Sequence, residues 1–279
     1  MKDGNSSLRI VLLGIIGAIT PALCRAAPPK AVPSPAHVIV VMEENRGYDE
    51  IIGSQQAPYI NQLAFAGASF TNAHAITHPS LPNYLALFSG STQGVTNDSC
   101  PLSFRLPTLQ SDLLEAKLRF VGYSEDLPAT GSDVCFSGYY ARKHAPWTYF
   151  PDDPPANNRP FADFPRNLAE LPTVSWVIPN QVNDMHSGPI LQADSWLRSN
   201  LLRYVTWAQR NNSILILDWD EDDGGLTNHI PTIFVGPMVK PGRYSERIDH
   251  YNVLRTIEDM YGLSHLGHSA AAPIVDVWQ

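Results

Sequence analysis

The stretch His37-Val38-Ile39-Val40-Val41-Met42-Glu43-Glu44-Asn45-Arg46 decides how this chain is read. Val38 to Met42 run without a polar interruption, mostly β-branched, whereas a strand with one wet face alternates apolar and polar residues. A continuous run belongs to a strand covered on both faces, the usual state of a parallel sheet packed between helices. It breaks abruptly at Glu43-Glu44-Asn45-Arg46, and the carboxyl ends of parallel strands are where such sheets bind ligands.

Working outward, the pattern keeps alternating. Further strands are predicted over 69–73, 119–123, 173–178, 213–219 and 232–235, and helices over 58–66, 81–88, 109–117, 190–210 and 250–261. Pro82 suits the first turn of its helix and Gly262 closes the last one. Residues 124–165 are rich in Pro, Gly, Asn and aromatic side chains with no sustained period, which predicts a long excursion covering the site rather than a second domain. The expected fold class is α/β, a doubly wound, largely parallel sheet flanked by helices in one domain over 37–279.

Composition excludes several classes. With 279 residues, 44% hydrophobic and only 16% charged, the chain is neither disordered nor a long coiled coil, and it is large enough to fold without staples. A net charge of −8 carries no basic footprint, so no nucleic-acid partner is expected.

Residues 1–27 read as an export signal: Lys2 and Arg9, an apolar run over 10–19, then Pro21 and the small-residue stretch ending at Ala26-Ala27. The run is short for a membrane span, which ranks an uncleaved anchor second. Cys24 lacks the small residue expected before a lipidated cysteine. Cleavage would remove three basic residues and one acidic residue, taking the net charge to −10 and leaving a Pro-rich linker over 28–36. The expected location is secreted or periplasmic, with no stable membrane insertion after signal removal. There Cys100 and Cys135 either form one disulfide, which an oxidising compartment favours, or remain two unrelated thiols.

Chemistry collects in three segments that a parallel sheet would bring to one edge: Glu44-Asn45, His78-Pro79-Ser80-Leu81-Pro82-Asn83, and Asp218-Trp219-Asp220-Glu221-Asp222-Asp223-Gly224-Gly225. Converging carboxylate and amide oxygens make a hard-cation site, because several like charges cannot be buried together without a counter-ion. Asp220 and Glu221 are the strongest candidates. Ser80, at a helix N-terminus that favours an anion, reads equally as a cap and as a nucleophile. The carboxylate cluster tips the balance, since a divalent ion lowers the pKa of a serine hydroxyl.

The strings Val-Met-Glu-Glu-Asn-Arg-Gly-Tyr-Asp, His-Pro-Ser-Leu-Pro-Asn-Tyr-Leu-Ala-Leu-Phe-Ser-Gly and Asp-Trp-Asp-Glu-Asp-Asp followed by Asn-His-Ile-Pro resemble the bacterial phosphoesterase family of secreted acid phosphatases and phospholipases C, within the alkaline phosphatase superfamily. The likeness runs from about His37 to about Leu263 and is greatest to mycobacterial-type secreted acid phosphatases. It implies the superfamily's α/β sandwich, with Glu44, Asn45, Ser80, Asp220 and Glu221 as metal ligands and Ser80 as nucleophile. His229 resembles the family's site-closing histidine, and His186 looks like a second one, able to protonate the leaving oxygen. Each has a bland alternative, a loop histidine bonding backbone. Asp184 is a candidate for a second metal, whereas His74, His78, Asn83, Asn97 and Asp98 read at least as well as turn or packing residues. Glu43, Asp218, Asp222 and Asp223 read as supporting groups, and Arg46 as a phosphate contact or, more blandly, half of a surface ion pair.

The implied activity is metal-dependent acid phosphatase chemistry on a small phosphomonoester or phosphoinositide, through a phosphoserine. Oxygen-rich ligation favours Ca, Mg or Mn, and a second site including His would readmit Zn. A phospholipase C-type phosphodiesterase ranks second, and an exported non-catalytic phosphate- or metal-binding protein is the reading from another class. A sulfatase is disfavoured by Pro-Ser-Leu-Pro at the nucleophile.

Overall fold

A computed structural model describes residues 32–279, with Met1 and Gly4 before them. The predicted signal, and the linker up to Ala31, lie outside the described residues.

Strands β1 (His37–Glu43), β2 (Ala68–His74), β3 (Phe120–Ser124), β4 (Phe136–Ser137), β5 (Tyr140–Ala141), β6 (Asn158–Pro160), β7 (Val174–Ile178), β8 (Ser213–Trp219), β9 (His229–Val235), β10 (Gly242–Tyr244) and β11 (Ile248–Asp249) alternate with helices α1 (Tyr48–Ile51), α2 (Pro58–Ala66), α3 (Ser80–Ser89), α4 (Leu109–Glu115), α5 (Ile190–Ala208) and α6 (His250–Tyr261). The main sheet has the order β10-β2-β9-β8-β1-β7-β3-β6, with β11 continuing alongside β2. Strand β1 lies at its centre, parallel to both β7 and β8, and Val38 to Met42 are completely buried, as the unbroken apolar run requires.

Among the strands of this sheet only β9 runs antiparallel to its neighbours. It is joined to β8 by the acidic loop, so the start of β9 at His229 returns to the edge at which β1 and β8 end. Helices α2 and α5 pack together in one helical layer; α3 packs against α4 and α6 in another. In α5 the buried Ala193, Trp196, Leu197, Leu201, Tyr204 and Ala208 recur at helical spacing, which is the stripe predicted for that segment.

Helix α3 is buried along all ten of its residues, unlike the half-wet helices around it. Part of its cover is the irregular segment between β3 and β7, which folds as short turns and the β4–β5 hairpin rather than as a domain. Trp147 anchors that segment: its ring packs against Phe88, Phe120 and Trp176, and its indole N–H donates to Asn158 Oδ1 at 2.9 Å. Gly122 on β3 makes this possible, since a Cβ there would lie 2.1 Å from the Trp147 ring. Cys100 and Cys135 form a disulfide that ties the hairpin to the loop after α3.

Two buried carboxyls outside the strand ends give the fold a pH signature. Burial pushes Asp153, which accepts from the Thr108 hydroxyl, up to about 7, and does the same to Glu258, which accepts from Ser269 and from the Leu266 N–H. Raised folded-state values mean that the native state holds these protons more tightly than the unfolded chain. Their stabilising contribution is therefore full below the ordinary carboxyl range and is lost as pH rises through about 7. The melting temperature should be higher near pH 5 than near pH 8, and Asp153→Asn should flatten that difference. A melting curve for the variant as steep in pH as the wild type's would contradict the assignment.

Candidate active site

Ser80 is the first residue of α3 and is buried. The loop before it is held by Asn83, whose Oδ1 accepts the N–H groups of Ile76 and Thr77 and whose Nδ2 donates to the carbonyls of Thr77 and Pro79. The turn role expected of Asn83 is thus the one it fills. The Ser80 hydroxyl lies 3.2 Å from Glu44 Oε2 and 3.1 Å from Glu221 Oε1, and Lys143 Nζ donates to Ser80 Oγ at 3.1 Å.

The other predicted ligands converge on the same point. Asn45 follows β1 with φ at +49°, a left-handed conformation that asparagine tolerates better than most residues. Its N–H donates to Asp220 Oδ1 at 3.3 Å and its Nδ2 to Glu221 Oε1 at 3.0 Å, joining the ends of β1 and β8. The neighbouring Glu43 points elsewhere, with both oxygens buried and unpartnered.

Three residues at this site were not singled out from the sequence: Lys143, His144 and Tyr84. His144 is buried between two carboxylates, with Nε2 3.0 Å from Glu44 Oε1 and Nδ1 3.5 Å from Asp184 Oδ2. Tyr84, one turn along α3 from Ser80, donates to the same Glu44 Oε1, and Lys143 pairs with Asp98 at 3.0 Å. Lys143 and His144 sit in the aperiodic excursion, so no strand-end rule reaches them. The available signal was a basic pair, Lys143-His144, inside a segment already predicted to cover an acidic site.

Electrostatics separate Glu44 from its neighbours. Burial pushes its carboxyl up, but the His144 charge and hydrogen bond, Lys143 and the Tyr84 hydroxyl outweigh burial and draw it down to about 2. Asp220 goes the other way: burial, then Glu44 and Glu221, hold it well above the usual carboxylate range. Glu221 is also raised, chiefly by burial, although it accepts from His78. Asp184 is raised by burial and by Glu44.

This is the environment of a cation site. Asp220 Oδ2, Asn45 Oδ1 and Asp184 Oδ2 are buried without a hydrogen-bond partner, and such oxygens are costly unless a cation takes them. The donors at Glu44, Asn45, Ser80, Asp220 and Glu221 are all oxygens and suit a hard divalent ion. Glu44, His144 and Asp184 also offer ligand atoms within 4.8 Å of one another, so the nitrogen donor here is His144.

The two predicted histidines are placed differently. His186 is at the exposed rim beside this cluster; its N–H donates to Asp184 Oδ1 at 2.8 Å and its ring is 6.3 Å from that of His144. Partial desolvation of its ring where it leans on the cluster lowers its pKa, with Lys143 and His144 adding to the effect against Glu44. His229 stacks between Tyr48 and His74, bonds the Thr71 carbonyl at 3.2 Å, and reaches the cluster only through Asp222, which accepts its N–H and faces His78. Asp222 otherwise ties the Gly224 and Gly225 N–H groups. A Cβ at Gly225 would meet Asp222 Oδ2 at 2.5 Å, so the glycine turn is required. Asp218 is buried beside Thr232 and His250, a supporting place, and Arg46 pairs with Glu50 at 3.7 Å.

Residues 54–264 match the model of the Phosphoesterase family. This chain belongs to that family. It is a phosphoric ester hydrolase, as the relatives bear out. Over 279 aligned residues it is 50% identical to the phosphatidylinositol-3-phosphatase of Mycobacterium tuberculosis, covering 96% of this chain and 93% of that one. It is 28% identical to a probable acid phosphatase of Kluyveromyces lactis, over 85% of this chain but only 61% of the yeast protein. Among solved structures, an alkaline phosphatase superfamily protein from Vibrio parahaemolyticus matches with a TM-score of 0.58 over 88% of this chain and 72% of its own, at 14% identity, which speaks to the fold alone.

If the orphaned oxygens hold a divalent ion, protein freed of metal by chelation should melt at a lower temperature than protein supplied with Mg, Mn or Ca, and Asp220→Asn should lose most of the metal-dependent rise. An equal rise in wild type and variant would remove Asp220 from the ligand set.

Proposed function

We propose that the chain is an exported, metal-dependent acid phosphatase that hydrolyses phosphomonoesters, phosphoinositides among them, through a phosphoserine at Ser80. The observation that carries the reading is the buried Ser80 hydroxyl at the N-terminus of α3, within 3.2 Å of two carboxylates and 3.1 Å of an ammonium group. The phosphoinositide extension rests on the 50% identity to the mycobacterial enzyme of that name.

A divalent ion at Glu44, Asn45, Ser80, Asp220 and Glu221 would neutralise phosphoryl charge and make the serine hydroxyl more acidic, with oxygen ligation favouring Ca, Mg or Mn and His144 keeping Zn in the set. The protein's own groups do the rest. The backbone N–H groups at the start of α3 attract the phosphoryl oxygens. Ser80 Oγ passes its proton to Glu221 Oε1, to which its hydroxyl already donates at 3.1 Å, and attacks phosphorus in line, while the Lys143 ammonium stabilises the charge on that oxygen. His186, at the rim, donates a proton to the departing ester oxygen, and water then releases phosphate from Ser80. A His186 whose pKa is lowered holds that proton only in acid solution, which supports an acidic working range. His229, held by Tyr48, His74 and Thr71, secures the loop that carries Glu221.

Ser80→Ala, checked for an unchanged circular dichroism spectrum, should lose phosphomonoester turnover by about 10³-fold or more. Retained activity would sink the nucleophile. His186→Ala should slow esters with poor leaving groups by about 10²-fold while nearly sparing p-nitrophenyl phosphate. An equal loss on both would deny it the proton-donor role.

A further inference from the structure

Asp98 stands where a phosphoryl group is expected. It lies in the loop after α3, and its two oxygens are spent on two separate donors: Oδ1 accepts the N–H of Leu81, the residue after Ser80, at 2.9 Å, and Oδ2 accepts from Lys143 Nζ at 3.0 Å. Lys143 also donates to Ser80 Oγ. An anionic carboxylate therefore bridges the N-terminus of α3 and the ammonium group beside the nucleophile, the two features of this site that attract phosphate. Helix α3 has Pro79 at its N-cap and no side-chain cap from its own flank, so Asp98 supplies the missing acceptor from a distance in sequence.

We propose that Asp98 is an internal occupant of the phosphoryl subsite: incoming substrate, or product phosphate, binds by displacing its carboxylate from Leu81 N–H and Lys143. The inference rests on the phosphoryl-transfer reading of Ser80 and extends it to how the subsite is kept before substrate arrives. The exposures fit an exchange, since the Asp98 side chain is 31% exposed and that of Lys143 only 11%. The carboxylate has water to move into, and the ammonium does not. The disulfide at Cys100, two residues on, keeps the loop beside the site when the side chain swings out. The occupant also satisfies both donors in the free protein, where the buried Lys143 ammonium would otherwise keep only the Ser80 hydroxyl as hydrogen-bond partner.

Asp98→Asn separates displacement from simple support, because asparagine retains an oxygen for Leu81 N–H but no charge for Lys143. If Asp98 competes with phosphate, the variant should bind inorganic phosphate about tenfold more tightly, the scale of one charge-assisted hydrogen bond no longer broken on binding. This is read as a larger phosphate-induced rise in melting temperature and as a lower inhibition constant, together with a lower KM for p-nitrophenyl phosphate. Weaker phosphate binding with a raised KM, or no change in either, would overturn the proposal and leave Asp98 as the residue that aims Lys143. The melting readout needs no turnover: a wild-type protein that hydrolyses no phosphomonoester would defeat the phosphatase reading, while the phosphate-binding comparison still decides the role of Asp98.

Discussion

Everything at the catalytic edge depends on the cost of burying carboxylates together. Glu44, Asp184 and Asp220 are completely buried and Glu221 nearly so, within one cluster, while the groups facing them are the Lys143 ammonium and the imidazoles of His78 and His144. Glu44 is the carboxylate at which these groups outweigh burial, and it is drawn down to about 2. Asp220, Asp184 and Glu221 are raised. Asp220 Oδ2 and Asp184 Oδ2 also lack hydrogen bonds, which is why a cation is the economical completion of the site.

The fold places this charge through two devices. Parallel strands β1 and β8 deliver Glu44-Asn45 and Asp220-Glu221 from adjacent ends, and the reversal into β9 folds the acidic loop back over the same edge. Helix α3 then presents its N-terminus to the cluster, and because all of its residues are buried, its position is fixed by the core rather than by solvent-facing loops. Ser80, the proposed nucleophile, is thus carried on a rigid element, and the aromatic anchor at Trp147 extends that rigidity to Lys143 and His144. Net charge of the whole chain, −8, is no guide to such a site. An acidic protein can attract an anion where the local field is set by a helix terminus and an ammonium, as at the start of α3 beside Lys143.

Much of this was legible in the sequence because it follows local periodicity. The run through Val38-Met42 marks a central strand, and the ends of parallel strands point to Glu44, Asn45, Asp220 and Glu221. Helix boundaries at α2 and α6 agree with their proline and glycine signals, whereas α4 and α5 end two residues earlier than predicted. The short edge strands β6, β10 and β11 and the single turn of α1 have too few residues to show a period. Lys143 and His144 escaped for a different reason: their place is set by long-range packing of Trp147 and by the disulfide, neither of which leaves a spacing signature. His186 and His229 share a family resemblance, yet only His186 adjoins the cluster directly. The antiparallel direction of β9, which local pattern does not encode, accounts for where His229 lies.

Covalent phosphorylation of Ser80 during turnover is the step on which the proposed chemistry depends. Acid-quenching the metal-loaded enzyme during turnover of a ³²P-labelled phosphomonoester, followed by proteolysis and peptide mapping, tests it directly. The account predicts acid-stable label on the peptide containing Ser80, forming no more slowly than product. Label confined to a histidine, or product released in the first turnover with no labelled protein, would contradict it.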